Sequence, residues 1–385
     1  MNGRVEVSAL TSEDDFGSLS PQWDALVHAM PRPSPFLLHG WLAEWWRHYG
    51  SSRRLAVVVA RRDGSLVGAV PLYVGRSGGL RVARFIGGHE SALADALLAA
   101  DEPDETAVAL LDEVRRQPFD YADLFGLPTV SAWERVEELP SIERVEAPVL
   151  LMPDGWDEAY AAKTSSKKRN LHRRRLRQLG ELGDVEFTVG RTREELEPLL
   201  EVAFRLHSAR WEGRPDGSTF GTEAGREFHR AAMRRLAGDD VLRLVLMTVG
   251  GEPAAFHYYF RLQGTMVVHR LGFDPRFARL SPGLVSTLET LRQASAEGAT
   301  RVEFLGGNER YKEELADRHE PLRQAVGLAR NPVGRAAAAQ RRRLIELRLA
   351  AKRSERLHSL YLGGFGLARR KKSATSATPG GAELE

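Results

Sequence analysis

The 385-residue chain contains no cysteine. That absence excludes disulfides, thiolate nucleophiles and Cys-based metal centres together, and it fits a reducing compartment. No stretch approaches the roughly 18 to 20 consecutive apolar residues of a membrane span. The N-terminus MNGRVEVSALTSEDD has no apolar run and does not read as a signal peptide. These absences give a cytoplasmic reading with no transmembrane segment. Acid is missing locally as well. Residues 163–177 hold eight Lys or Arg and no Asp or Glu, and residues 331–372 hold twelve against two. Removing those surpluses of eight and ten from the net charge of +3 leaves the remainder at −15. An acidic body thus carries two basic segments that could meet an anionic partner or lie as solvated helix faces. The first has no stacking aromatics, which argues against single-stranded nucleic-acid reading.

What is present suffices for two domains with real cores, since 42% of the residues are hydrophobic. RVEVSAL (4–10) alternates like an edge strand, and SPQWDALVHAM reads as a helix with Ser20 as N-cap and Pro21 at the first helical position. PSPFLLHGWLAEWWRHYG concentrates Phe36, Trp41, Trp45, Trp46 and Tyr49 in one helical segment, either as core or as the lining of an acyl or acceptor pocket. Asp63-Gly64 joins two strands as a hairpin. RVARFIGG is a further strand, SALADALLAA and DETAVALLDEVRRQ read as helices, and FDYADLFGLP as a strand. After a mixed connection the plan repeats: LRLVLMTVGGEPAAFHYYFRL is again strand, Gly-Gly turn, strand, and TRVEFLGG echoes RVARFIGG. The expected architecture is α/β (α+β), with two tandem lobes of one unit, each a mixed sheet flanked by helices. Boundaries fall at 1–145 and 146–330, followed by a basic helical extension over 331–372 and a tail, 373–385, disordered by composition.

The organising stretch runs from His269 to Leu315. MVVHRLGF reads as a buried strand, DPRFARLSPG as a turn, Leu284, Leu288 and Leu291 recur at helical spacing, Gly298 closes that helix, and RVEFLGG returns as a strand. The free N–H groups and positive dipole end of the helix make Ser281 to Leu284 a place for a phosphate-bearing ligand, or an ordinary helix start after a turn. In LHSARWEGRPDGSTF, His207, Arg210 and Trp211 share about one helical turn ahead of a Gly/Pro-rich loop.

The order PFLLHGWLAEWWRHYG, LVGAVPLYV, SSKKRNLHRRRLRQLGELG, LHSARW, GEPAAFHYYF, LGFDPRFARLSPGLV and FLGGNERYKEEL resembles the GNAT acyltransferase superfamily. It is closest to the CelD-like branch linked to bacterial cellulose biosynthesis, similar in plan to the Fem-type aminoacyl transferases with two GNAT-like lobes. The usual Gln/Arg-x-x-Gly-x-Gly/Ala phosphate loop stands here as RLSPGL (279–284), short of glycine.

The resemblance implies an acyl group, acetyl first, moved from acetyl-CoA or another acyl-CoA to an amine or hydroxyl, with no metal. Such chemistry needs a phosphate site, a polarised carbonyl and a base or water relay. Arg279, Ser281, Pro282, Gly283 and Leu284 would hold the donor's phosphates, and Leu271, Gly272 and Phe273 would run beside its pantetheine arm. Candidates for proton transfer are Glu303, His269, His257 and Tyr311. Alternation puts Glu303 on the face opposite Val302 and Phe304, where it either meets a cleft, with a raised pKa, or faces solvent or an Arg. His269 is either a base or a hydrogen-bonded core residue. Lys312 could stabilise the tetrahedral intermediate or hold an acceptor anion. His207, Arg210 and Trp211, with His257 and Asn308, form the acceptor side, Arg210 gripping a carboxylate and Trp211 walling it, unless Trp211 is core and Arg210 a helix cap.

In the basic helix, Lys167, Arg174 and Arg177 share a face, and Leu171 and Leu179 point inward. Two further readings stay open. One is a Fem-type aminoacyl-tRNA-dependent ligase, with segments 163–177 and 331–372 meeting tRNA or an acidic carrier protein. The other is a non-catalytic scaffold binding an anionic partner. For the acyltransferase, a small molecule, saccharide or peptide is the acceptor.

Overall fold

The computed structural model describes residues 4–129, 131–132, 139–211, 219–307 and 309–353. Asn308, the extension beyond residue 353, the tail 373–385 and the side chain of Trp211 lie outside the described residues. The first half contributes β1 (Val5–Leu10), β2 (Arg54–Leu55), β3 (Val57–Arg62), β4 (Ser65–Val70), β5 (Leu72–Ser77), β6 (Leu80–Phe85), β7 (Leu97–Leu98), β8 (Tyr121–Leu127) and β9 (Ser141–Val145). Its helices are α1 (Glu13–Gly17), α2 (Ser20–Ala29), α3 (His39–Tyr49) and α4 (Asp104–Arg116). The second half contributes β10 (Pro148–Leu151), β11 (Val185–Gly190), β12 (Leu242–Val249), β13 (Glu252–Leu262), β14 (Thr265–Phe273), β15 (Arg301–Glu303), β16 (Arg318–His319) and β17 (Leu322–Gly327). Its helices are α5 (Trp156–Lys163), α6 (Ser166–Gly180), α7 (Arg193–Trp211), α8 (Glu223–Leu236), α9 (Pro282–Ala296), α10 (Arg310–Leu315) and α11 (Pro332–Arg353). None of these helices is long and apolar enough to cross a membrane.

The second lobe's sheet has the order β11-β12-β13-β14-β15-β10-β16. The first lobe follows the same plan in two joined pieces, β1-β3-β4-β7 and β2-β5-β6-β8-β17-β9. The break falls at Pro71, which has no N–H to donate to the ladder. Across it, β3 pairs β4 and β2 pairs β5 in one continuous antiparallel run. Asp63 and Gly64 turn that hairpin with φ of 50° and 81°, the left-handed pair a two-residue turn requires.

Both lobes keep one parallel pair among antiparallel neighbours: β6 beside β8 in the first, β14 beside β15 in the second. A strand distant in the chain lies next to each pair: β17, from the second half, lies against β8, and β10, which opens the second half, lies against β15. Leu322–Gly327, expected within 146–330, therefore builds the first lobe's sheet.

Three local expectations change. SALADALLAA is not a helix. Leu93 to Leu98 are buried throughout, Leu97 and Leu98 pair with β4 as a two-residue strand, and Asp95 is tied to Ser131. Ser20 is the first helical residue of α2 rather than its cap, which puts Pro21 at the second position. On α6, Leu179 is buried but Leu171 is 38% exposed.

The α3 aromatics form the core between the lobes. Trp41 meets Phe228 edge-on at 4.8 Å and Phe260 at 5.4 Å, and Phe36 meets Phe260 at 5.4 Å. A buried aromatic of this size removes about 200 Å2 from water, on the order of 5 kcal/mol by area. Such contacts fix the two lobes against each other.

Candidate functional site

β14 and β15 pair for only three residues, from Thr265 opposite Arg301 to Val267 opposite Glu303. Beyond that point β14 continues along β13, while the other strand leaves as Phe304-Leu305-Gly306-Gly307, with positive φ at Leu305 and Gly307. The strands part, and the wedge is a cavity of about 320 Å3. Val268 to Leu271 line one wall and Phe304 to Gly306 another, with Glu309 and Lys312 below, Arg210 at one end, and His89, Glu90 and Ala92 from the first lobe closing it.

His269 enters the wedge because β14 is bulged there. Tyr258 pairs with Arg270 and Tyr259 with Val268, so His269 is the extra residue, re-aimed by the bulge. Its ring sits among Phe36, Trp41, Tyr258 and Phe260, and its Nε2 is buried with no hydrogen-bond partner. Burial, with Arg270 and His229 adding to it, holds the imidazole well below its ordinary 6.5, so it is neutral at pH 7.

Glu90 of the first lobe faces the same point and is 1% exposed. Burial works against its charge. His229, the Thr219 hydroxyl and Arg270 outweigh that cost and hold its carboxyl at about 2. Arg270 Nη2 donates to Glu90 Oε2 at 3.2 Å, and His229 Nε2 stands 3.4 Å from the same oxygen. Donor atoms of Glu90, His229 and His269 lie within 4.8 Å of one another. Two neutral imidazoles and a carboxylate are a fitting set for a divalent cation, but the Arg270 guanidinium on Glu90 opposes one. Chemically, the same arrangement can act as a buried carboxylate–imidazole base.

Lys312 is 5% exposed. Its ammonium donates to Gly306 O at 2.7 Å and pairs with Glu309 at 3.0 Å. A side chain at Gly307 would collide with that pair, which is the physical need behind the Gly-Gly signal. Arg210 holds the wedge rather than standing free: Nη1 donates to Leu271 O at 3.1 Å, and the guanidinium lies over the Phe273 ring at 4.9 Å.

The other expected residues lie around this centre. Glu303 is buried outside the wedge lining, with Arg32 on both its carboxylate oxygens and Arg301 on one; both arginines also bind Glu320. His257 is a strut: its Nε2–H donates to Thr287 Oγ1 at 3.0 Å, and that hydroxyl donates to Gly283 O at 2.7 Å. Burial, then the Lys312 ammonium, pushes its pKa down to about 3. Tyr311 packs edge-on against Phe304, and burial raises its hydroxyl above the ordinary phenol value. His207 is core, edge-on to Phe220 at 5.1 Å.

On the expected donor side, Ser281 takes φ 57° immediately before α9, and Pro282 opens that helix. Gly272 and Gly283 fit closely against the Phe256 and Phe273 rings. The Arg279 carbonyl accepts from Arg175 of α6 at 2.9 Å, and Leu284 is half-buried beside them.

Sequence reasoning missed Glu90, His89, His229, Arg270 and Glu309. Only the Gly87-Gly88 pair hinted at the first two, since its positive φ values of 100° and 48° turn His89 and Glu90 into the interface.

Comparison with known proteins agrees with this geometry. Residues 166–313 match the family model for an acetyltransferase (GNAT) domain. The fold is similar to a conserved protein of unknown function from Bacteroides thetaiotaomicron VPI-5482, with 12% identity and a TM-score of 0.52 over 84% of this chain and 100% of that one. It is equally similar to FemX, at 12% identity and a TM-score of 0.52, covering 84% and 95% of the two chains. No curated protein matches the sequence. The mixed α/β architecture in two tandem GNAT-like lobes is thus the one expected from the sequence.

Proposed function

We propose that this protein is an acyltransferase that moves an acyl group, acetyl first, from acyl-CoA to an amine or hydroxyl bound between its lobes. The observation that carries this reading is the parting of β14 from β15 inside the region matching an acetyltransferase domain, with His269, Lys312 and Glu90 converging on the opening. The order of its motifs supports the CelD-like branch within that reading.

The first turn of α9, from Pro282 to Leu284, receives the donor's phosphates. The β14 backbone beyond Val267 has no strand partner on the wedge side; its carbonyls at His269 and Leu271 accept from Arg270 and Arg210, and its N–H groups hold the pantetheine arm and the thioester carbonyl. His269 Nε2 takes the proton of the acceptor as its nitrogen or oxygen attacks that carbonyl, and the Glu90 carboxylate nearby stabilises the imidazolium formed. Lys312 offsets negative charge on the tetrahedral oxygen, within the limit set by its pairing to Glu309. Collapse releases the CoA thiol.

A second reading rests on α6. Lys167, Arg174 and Arg177 share an open face of that helix and have no carboxylate partner among the described residues. Such a face fits the tRNA of a Fem-type ligase.

The deciding experiment is calorimetric titration with CoA, acetyl-CoA and deacylated tRNA at two salt concentrations, paired with thiol release from acetyl-CoA in the presence of amines. Saturable CoA binding and amine-dependent thiol release support acyl transfer from CoA. Binding to tRNA alone, falling steeply with salt, moves the assignment to the ligase. Binding to neither leaves a non-catalytic scaffold.

A further inference from the structure

The first lobe repeats the wedge. β6 and β8 run parallel only from Val82 opposite Tyr121 to Ala83 opposite Ala122, then part. The opening is a cavity of about 490 Å3, larger than its counterpart in the second lobe and within the range of small-molecule sites. Its walls carry a different chemistry. Arg84 enters from the end of β6, Arg144 from β9, Arg341 from α11 and Arg53 from the turn before β2.

Asp123 is the one carboxylate lining this cavity among the described residues, and it is already bound by Arg341 Nε at 3.0 Å and by the Gln324 side chain. Arg53, Arg84 and Arg144 have no carboxylate partner among the described residues. They are nonetheless held in place. Arg53 lies over the rings of Trp45 and Tyr73, at 5.4 and 5.3 Å. The Nε of Arg144 is buried without a hydrogen-bond partner, and burial, with Arg341 adding to it, makes that guanidinium harder to keep charged. Four guanidinium groups drawn from four elements into one partly buried space repel one another unless an anion sits among them.

We propose that the first-lobe wedge is a binding site for a phosphate- or diphosphate-bearing small molecule. The surplus of three positive charges over Asp123 selects the ligand class: a monocarboxylate leaves two of them uncompensated, whereas a phosphate dianion or a diphosphate neutralises most of the surplus. The planar forks of Arg84 and Arg144 suit bidentate contact with such oxygens. Trp45, Tyr73 and Phe125 offer flat apolar wall to the rest of the molecule. His89 borders both wedges, so a ligand here lies against the wall of the second-lobe site. The assignment stands independently of the acyl-transfer reading.

The test titrates inorganic pyrophosphate, with acetate as a monoanion control, into the full chain and into Arg84→Gln, Arg144→Gln and, to exclude the start of α9, Ser281→Glu. The expected result is saturable pyrophosphate binding, weakened at least ~10-fold by either first-lobe substitution and retained in Ser281→Glu, with no saturable acetate binding. Thermal unfolding gives the second readout. Because the arginines are uncompensated when the site is empty, both substitutions should leave the ligand-free protein as stable as wild type or more so, and should abolish the rise in Tm with pyrophosphate. Absence of pyrophosphate binding, binding indifferent to Arg84 and Arg144, equal binding of acetate, or a lower ligand-free Tm in both variants would each overturn the proposal.

Discussion

Arg32 and Glu303, 271 positions apart in the chain, are joined by two hydrogen bonds of 3.2 and 3.0 Å. Glu303 is 2% exposed, and the pair links the first lobe to the parallel strand of the second. Removing one member of a buried pair leaves the other uncompensated. Arg32→Ala should cost about 3 kcal/mol, at the low end for such a loss because Arg301 still holds Glu303. The urea unfolding midpoint reads this directly, and a change smaller than about 1 kcal/mol, the value of a surface pair, would show the contact to be dispensable.

Lys312 gives the test of chemistry. Lys312→Met keeps the apolar stem in its buried slot and removes the charge. Turnover should fall on the order of 100-fold, as when one stabilising donor is lost from a transition state, with the circular dichroism spectrum unchanged. Unaltered kinetics would remove Lys312 from the mechanism.

The start of α9 is probed at Ser281. Ser281→Glu sets a carboxylate where the donor's phosphates are placed, and should raise the KM for acetyl-CoA at least ~10-fold while leaving kcat within a factor of about 2. A drop in kcat at constant KM would place the phosphates elsewhere.

Acid should loosen the protein well before ordinary acid denaturation. His257 has a folded-state pKa of about 3 against an ordinary 6.5, so the unfolded chain takes up the proton first. Its contribution is therefore intact above pH 6.5 and is lost as pH falls toward 3. Glu90, held at about 2 against 4.5, adds a second loss below pH 4.5. Denaturant midpoints measured from pH 7.5 down to 4.5 should decline steadily, and His257→Gln should flatten that decline. A profile with the same slope in the variant would assign the acid sensitivity to other groups.

The basic face of α6 answers the tRNA question. Replacing Lys167, Arg174 and Arg177 together with Ala should leave acetyl-CoA turnover unchanged and reduce any salt-dependent tRNA binding. The slope of log K against log salt should fall by about 2 to 3. An unchanged slope would mean that the helix does not meet the nucleic acid.

The sequence made the β14–turn–α9–β15 unit legible because alternation, turn residues and helical spacing are all local signals. The Asp63-Gly64 hairpin was legible for the same reason. SALADALLAA misled because its apolar spacing suits a helix, whereas a segment buried on every side needs no periodicity. His269 could be placed on its strand, but not in the cleft, since the bulge that re-aims it is a mismatch with β13 and invisible in either strand alone. Glu90 carried no mark beyond two preceding glycines. Its role comes from Arg270 and His229, more than a hundred positions away. Glu303 was placed correctly opposite Val302 and Phe304, yet its partner Arg32 lies in an unremarkable loop.

The return of β17 to the first lobe's sheet has a consequence for how the chain is made. Strands β8 and β9 emerge from the ribosome together, but β17, which lies between them in the sheet, begins only at Leu322, after all the other strands of the second half. Until residue 327 is free, β8 presents an open, largely apolar edge, the kind of edge on which chains pair wrongly. The first lobe must therefore wait, incomplete, until the strands of the second lobe have been made. A chain cut at residue 145 should yield a first half that aggregates rather than an independent domain.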